Sequence, residues 1–357
     1  MSNECKYFIP GPTWVRPVIL AEMTRPMIGH RSAEFRELFG RIRRDLKTLF
    51  ETASDALVIT ASGTGVMQAA LENCVKRRVL VTTCGAFSER WFAIAQSLGY
   101  EVDRLDTGWG KAINPESLAD HLGSRHAHYD AVTLTHNETS TGVTNDIESL
   151  SRVVHEEAPD ALVLVDAVSS LGGMPVRFDA WGLDVCLASV QKGLALPPGI
   201  TVLAVSERAL ERAKKHPYRG LYFDFLNYKS KADEDSVPST PSLPHFFALA
   251  KQLDDMLRGE GLDARFERHR KMRDITIERT SRYAKLAADP AHASTTVSAL
   301  EPVMKPDDIR GEMKKRGYTL GGGYGEWKDR TFRIGHMGDI TIDDLNGMLD
   351  VLEEVAR

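Results

Sequence analysis

The sequence predicts an α/β protein, with a mostly parallel sheet flanked by helices and a smaller C-terminal α+β domain. Two patterns carry this prediction. Between residues 57 and 205, short apolar runs of strand length alternate with stretches of helical periodicity. Beyond residue 245, long charged helical stretches dominate and strand-like runs become sparse. At 357 residues the chain is long enough for two cores. The expected division is a large domain over residues 18–245 and a small domain over residues 246–357, joined by the N-terminal arm 1–17.

In chain order, residues 6–17, KYFIPGPTWVRP, are proline-rich and read as an extended arm. Ser32 caps a helix whose apolar stripe is Phe35, Leu38, Phe39, Ile42, Leu46, Leu49 and Phe50. Leu57–Thr60 is a strand, followed by the small-residue turn Ser62-Gly63-Thr64-Gly65 and a helix over Val66–Asn73. That order aims helix N-terminal N–H groups at a phosphate; a tight turn with no ligand is the other reading. Val79–Thr82 is a strand, and Phe87 opens the next helix, placed either to stack on a planar ligand or to fill the core. Glu101–Leu105 and Ala131–Thr135 are further strands, the second ending in the polar turn HNETSTG. Ala161–Val165 ends in Asp166, Val185–Val190 runs into Gln191 and Lys192, and LALPPGITVLAVS supplies a turn and another strand.

Residues 216–245 turn aromatic, then charged, then Ser/Pro-rich. They are expected to be irregular, with residues 229–235 a candidate mobile gate. Phe246–Leu257 reads as an amphipathic helix and residues 261–286 as a charged helical stretch. Thr295–Leu300 and Thr331–Ile334 read as strands, and Asp307–Arg316 and Thr341–Val355 as helices.

The chemistry concentrates at two strand ends. Open α/β sheets bind ligands outside the carboxyl ends of their strands, so Asp166 and Lys192 are expected to face one pocket. A lysine there forms a Schiff base with a carbonyl cofactor if burial or neighbours lower its pKa. An aspartate beside it holds a pyridinium nitrogen protonated, which makes the ring an electron sink. Pyridoxal phosphate requires that division of labour. A turn-capping carboxylate and a solvated surface lysine are the alternative, and the two residues alone leave both readings open.

Composition narrows the partners. A net charge of -5 gives no case for nucleic acid or an anionic membrane. No apolar run approaches the ~18 residues of a spanning helix, and MSNECKYFIPGP lacks signal-peptide character. The four cysteines, Cys5, Cys74, Cys84 and Cys186, show no CxxC spacing and fit a reducing cytoplasm. His126-Ala127-His128 sits in a polar turn and reads as solvated; no metal site is expected.

Taken in order, SGTG, HNETSTGV, LVDAVSSLGG, SVQKGLALPPG, STPS and FRIGHMG resemble the class V aminotransferases, pyridoxal-phosphate enzymes of fold type I. The resemblance spans nearly the whole chain and is greatest to the alanine–glyoxylate and serine–pyruvate (serine–glyoxylate) branch. It implies that Lys192 carries the cofactor as an imine and shuttles the proton, and that Asp166 pairs with the pyridine nitrogen. It implies a cofactor cradle of Ser62, Gly63, Thr64, Gly65 and Gln191, with Phe87 stacked on the ring and Thr139 bonded to the ring oxygen. Thr240 would reach the phosphate from the other subunit of a homodimer, although no tyrosine precedes it as in some relatives. Arg333 would hold the substrate carboxylate, with Gly11 and His30 also at the substrate. His30, Arg31 and His336 offer positive charge for a second anionic group.

The implied reaction is ping-pong amino transfer from alanine or serine to glyoxylate or pyruvate in the cytoplasm. Phosphoserine or aspartate as donor, or a lyase or epimerase reaction on the same fold, is the alternative. A cysteine desulfurase would need a nucleophilic cysteine in the C-terminal half, and no cysteine follows Cys186.

Overall fold

The computed structural model describes residues 6–125, 128–216 and 218–356. The chain opens with strand β1 (Lys6–Phe8), helix α1 (Pro17–Glu22) and helix α2 (Ala33–Phe50). Ser32 caps α2, its hydroxyl accepting from Phe35 N at 3.2 Å. There follow β2 (Asp55–Ile59), α3 (Gly63–Cys74), β3 (Arg78–Thr83), α4 (Ala86–Ser97), β4 (Glu101–Asp106), α5 (Pro115–Arg125) and β5 (Ala131–Thr135). A small hairpin of β6 (Asn137–Glu138) and β7 (Val143–Thr144) precedes α6 (Ile147–Glu157). Then come β8 (Leu162–Asp166), β9 (Val185–Ser189), β10 (Thr201–Val205) and α7 (Glu207–Lys214).

These elements build a seven-stranded sheet of order β2-β10-β9-β8-β5-β3-β4. The run from β4 to β9 is parallel throughout. Strand β10 is antiparallel to both β9 and β2, which sets β2 in the common direction. The reversal has a simple cause. Residues 190–200 form turns rather than a helix, and a parallel crossover needs a dozen or more residues, usually helical. Alternate residues of each strand feed opposite faces. In β2, Ala56 and Val58 join the core formed with α2, whereas Leu57 and Ile59 join the core formed with α3.

The remaining chain supplies α8 (Phe225–Ala232), α9 (Leu243–Asp254), a π-helical turn over Asp255–Glu260 and α10 (Leu262–Thr280). Strand β11 (Ala284–Leu286), β12 (Val297–Pro302), α11 (Pro306–Lys315), β13 (Tyr318–Gly322), β14 (Phe332–Gly335) and α12 (Ile342–Ala356) complete it. Their sheet has the order β1-β13-β14-β12-β11, with β1 parallel to β13 and the other pairs antiparallel. A third core, including Phe8, Ile309, Phe332 and Leu349, lies behind it. Through β1 the N-terminal arm is therefore a strand of the C-terminal sheet.

Two expectations are corrected here. Residues 216–245 are not irregular throughout, because α8 lies within them with Phe225, Tyr228 and Ala232 buried on one face. Residues 229–235, the candidate gate, comprise the last turn of that helix and the three residues after it, with Lys229–Asp55 and Arg43–Asp235 ion pairs. The charged stretch 261–286 is not one helix, because α10 stops at Thr280 and Ala284–Leu286 pairs with β12. The expectations for Cys5, His126 and Ala127 fall outside the described residues. Among the described residues no helix is long and apolar enough to cross a membrane.

Candidate active site

Five connections meet at the carboxyl edge of the large sheet. β2 leads to Ser62, the N-cap of α3, whose hydroxyl accepts from Gly65 N at 3.3 Å. β3 leads through Gly85 into α4, with Phe87 in its first turn. β5 leads into the small hairpin that carries Thr139, β8 ends on Asp166, and β9 continues to Gln191 and Lys192. Ser62, Gly63, Thr64, Phe87, Thr139, Asp166, Gln191, Lys192 and, from the arm, Gly11 line one cavity of about 320 Å³. Small-molecule sites span roughly 300–1,000 Å³.

Lys192 is 9% exposed and Asp166 4% exposed. The Lys192 amine donates to the Pro10 carbonyl and lies 5.9 Å from the Phe87 ring centroid. Gly11 has φ +117°, and a Cβ there would sit 2.5 Å from Lys192 Nζ, so glycine leaves the amine its place. Thr13 fastens the arm to the same loop, its N–H donating to Gln191 O at 3.0 Å and its hydroxyl to Lys192 O at 3.2 Å.

Burial dominates the electrostatics. It pushes the Asp166 carboxyl up to about 7, against the pull of a 2.7 Å hydrogen bond from Val168 N. It pushes Lys192 down to about 8, aided by the Arg333 charge and opposed by Asp166. Lys192 and Arg90 do not offset burial at the Asp166 carboxylate, and a protonated ring nitrogen would add a cation beside it. The amine is partly unprotonated in mild alkali and so is available as a nucleophile or base. Arg333, on β14, donates from Nε to Gly322 O at 2.7 Å and from Nη1 to Thr139 O at 3.1 Å. Burial lowers it to about 10, which still leaves it charged at neutral pH. Among the described residues no carboxylate comes within ion-pair distance of it.

The donor set suits pyridoxal phosphate. A helix N-terminus with small residues suits a phosphate, an aromatic face suits a ring, and an undercompensated buried carboxylate suits a pyridinium. No three His, Cys, Asp or Glu side chains group as a metal site among the described residues. None of the described cysteines lines the cavity.

Several neighbours escaped the sequence reading. Arg90 lines the cavity, donates to Thr64 Oγ1 at 2.9 Å and holds its guanidinium 5.0 Å from the Phe87 ring centroid. Its signal was the spacing of three from Phe87, which puts both on one helix face. Tyr324 stacks on Phe87 with centroids 5.4 Å apart and planes at 18°. It follows a strand of the other sheet, so nothing in local sequence announces it. Asn137 and Ser169 also line the cavity, and the Thr139 hydroxyl donates to Ser169 Oγ at 2.7 Å.

Of the site residues expected from sequence, Gly65, Thr240, His30 and Arg333 do not line the cavity, although Arg333 reaches the lining residue Thr139. Gly65 lies one step further along α3 and faces Ala61 and Phe223. Exposed Thr240 and half-buried His30 line no part of this chain's own cavity. His336 is a correction. It is buried between Ser298 Oγ (3.0 Å) and Thr295 O (3.1 Å), and burial pushes it down to about 4, so it is neutral at pH 7 and offers no charge to a second anion.

Residues 19–319 match the family model described as Aminotransferase class-V. The chain belongs to the class V aminotransferases. A protein named the small subunit of a soluble hydrogenase from Synechococcus is 37% identical, over 99% of this chain and 94% of that protein. A serine–glyoxylate aminotransferase of Methylorubrum extorquens is 33% identical, over 96% of this chain and 88% of that one. Among solved structures, an aspartate aminotransferase of Thermus thermophilus superposes with a TM-score of 0.90 at 31% identity, covering 98% of this chain and 99% of that one. This class V aminotransferase therefore has the fold of the type I pyridoxal-phosphate enzymes and is a pyridoxal-phosphate-dependent transaminase.

Proposed function

We propose that the enzyme transfers the amino group of alanine or serine to glyoxylate or pyruvate in a ping-pong cycle centred on Lys192. The observation that carries this reading is one cavity lined by a buried amine, a buried, undercompensated carboxylate, Phe87 and the N-terminus of α3. Bound there, pyridoxal phosphate supplies an electron sink that makes the α-proton of an amino acid removable.

Each residue then has a task. Ser62, Gly63, Thr64 and Gln191 hold the phosphate, helped by the helix terminus. Phe87 orients the ring and Thr139 its oxygen, and Asp166 keeps a proton on the ring nitrogen. Lys192 Nζ would hold the cofactor covalently and, when free, would act as the base that takes the α-proton of the amino acid. Arg333 grips the substrate carboxylate as a planar two-pronged donor, with Gly11 bounding the substrate. Thr240 serves the partner's site in a cytoplasmic homodimer, which fits its exposure and its absence from the lining of its own chain's cavity.

The serine–glyoxylate and aspartate aminotransferases that this chain resembles support glyoxylate as acceptor and keep aspartate as the rival donor. Spectroscopy of the half-reactions decides between them. Alanine or serine is expected to bleach the cofactor band of the holoenzyme, and glyoxylate or pyruvate to restore it. Bleaching by aspartate or phosphoserine alone would contradict the donor. Turnover without any 2-oxo acid requirement would favour a lyase or epimerase.

A further inference from the structure

The loop that follows Asp166 and the loop that bears Lys192 are joined by a residue far along the chain. Arg265, in the first turn of α10, is 2% exposed. Its Nε donates to Gly172 O at 2.8 Å and its Nη2 to Gly193 O at 2.8 Å. Gly172 lies on the loop after Asp166, and Gly193 is the residue after Lys192. The two loops touch so closely that a Cβ on Gly193 would meet Leu171 O at 2.3 Å. One planar guanidinium therefore ties together the main chains that bear the two central side chains of the cavity.

The guanidinium is itself held. Arg265 Nη1 meets Glu260 Oε2 at 3.0 Å, and Nη2 meets Asp339 Oδ1 at 2.9 Å. Asp339 also accepts from Arg16 Nε at 2.5 Å, which brings the N-terminal arm into the same network. Burial works against the Asp339 carboxylate, but Arg265 and Arg16 outweigh it and keep it below the usual range. A buried arginine directed at two carboxylates and two carbonyls from all three of its nitrogens is an arrangement that an ammonium cannot copy.

The structure assigns Arg265 the role of a positioning residue, a clamp that sets the Lys192 loop against the Asp166 loop without touching cofactor or substrate. This rests on the reading of Lys192 given above. Proton carriage by Lys192 Nζ requires a fixed backbone, since a misplacement of about 1 Å costs on the order of 100-fold. Loosening the clamp also admits water to the amine. The groups that face it, Asp166, Arg333 and Arg90, then act through a higher dielectric, and the amine moves back toward its ordinary range.

The test uses Arg265→Lys and Arg265→Met in the full chain. In cofactor-free protein, the rate of pyridoxal-phosphate uptake is followed against pH. Wild type should show a midpoint near pH 8, and both variants a midpoint about half a unit or more higher. Backbone hydrogen exchange at residues 170–173 and 191–195 should quicken together, and more than in β5 or β8. In the loaded enzymes, kcat per bound cofactor should fall at least about tenfold with KM for the amino donor little changed. A lysine or methionine variant with wild-type uptake midpoint and wild-type kcat per bound cofactor would overturn the assignment, whatever its thermal stability. If Arg265→Met does not fold, Arg265→Lys alone decides by the same two readouts. Absence of pH-dependent uptake in wild type would instead count against the reading of Lys192.

Discussion

At the scale of single residues, the site depends on what burial does to charge. Asp166 and Lys192 are both removed from water, and each is pushed toward neutrality, the carboxyl up to about 7 and the amine down to about 8. The sign of the consequence follows directly. Below pH 8 the amine is increasingly an ammonium and cannot attack a carbonyl, and below pH 7 the carboxylate loses its charge as well. Cofactor uptake by the empty protein, which needs the unprotonated amine, should therefore slow by about tenfold per pH unit below about pH 8. A stopped-flow uptake profile that is flat between pH 6 and 8 would contradict this. Arg333 shows the limit of the same effect, since burial lowers it only to about 10 and it stays a cation wherever the enzyme works.

At the scale of elements, the placement of Phe87 depends on a buried glutamate that belongs to no motif's named roles. Glu138 accepts from Ser88 N at 2.8 Å, from Ser140 Oγ at 2.6 Å and from Phe87 N at 3.1 Å. It thereby caps α4 from the neighbouring hairpin. Glu138→Ala leaves buried N–H groups unpaired and should cost about 2–3 kcal/mol, with weaker cofactor binding because Phe87 rides on that turn. Urea unfolding of the cofactor-free protein checks it, and a loss under about 0.5 kcal/mol would deny the capping role.

The same scale shows how much could be read from sequence. Strands such as Leu162–Asp166 and Val185–Ser189 are short apolar runs ended by chemistry-bearing residues, and period and punctuation reveal them. The reversal of Thr201–Val205 is carried by a missing signal, the absence of a crossover helix. Helix Phe225–Ala232 is hidden because its polar face outweighs three buried residues in composition. Arg90 is within reach of helical spacing, but Tyr324 and Arg265 reach their partners only through tertiary packing, where local sequence carries no distance information.

At the scale of the molecule, the arm and the connections of the large sheet line one cavity, the C-terminal part of the chain sets Arg333 and Tyr324 against its lining residues Thr139 and Phe87, and the joints between them bury polar groups. Three buried histidines, His136, His269 and His336, are held well below their ordinary value by desolvation, His136 and His336 to about 4. All are neutral when folded, so the unfolded chain gains protons first as pH falls. Stability is thus full above about pH 6.5 and is lost toward pH 4, by up to about 3 kcal/mol for each of His136 and His336. Denaturant midpoints should drop steeply between pH 6.5 and 5, and His336→Gln should flatten that slope. An unchanged slope would show that other groups govern acid lability.

Everything from the cavity to the cycle turns on which amine holds the cofactor. Borohydride reduction of the holoenzyme, followed by peptide mass spectrometry, reads this directly. The expected result is one reduced pyridoxal adduct per chain, on the peptide containing Lys192, and none in Lys192→Ala. An adduct on another lysine, or a protein that takes up no pyridoxal phosphate, would contradict it.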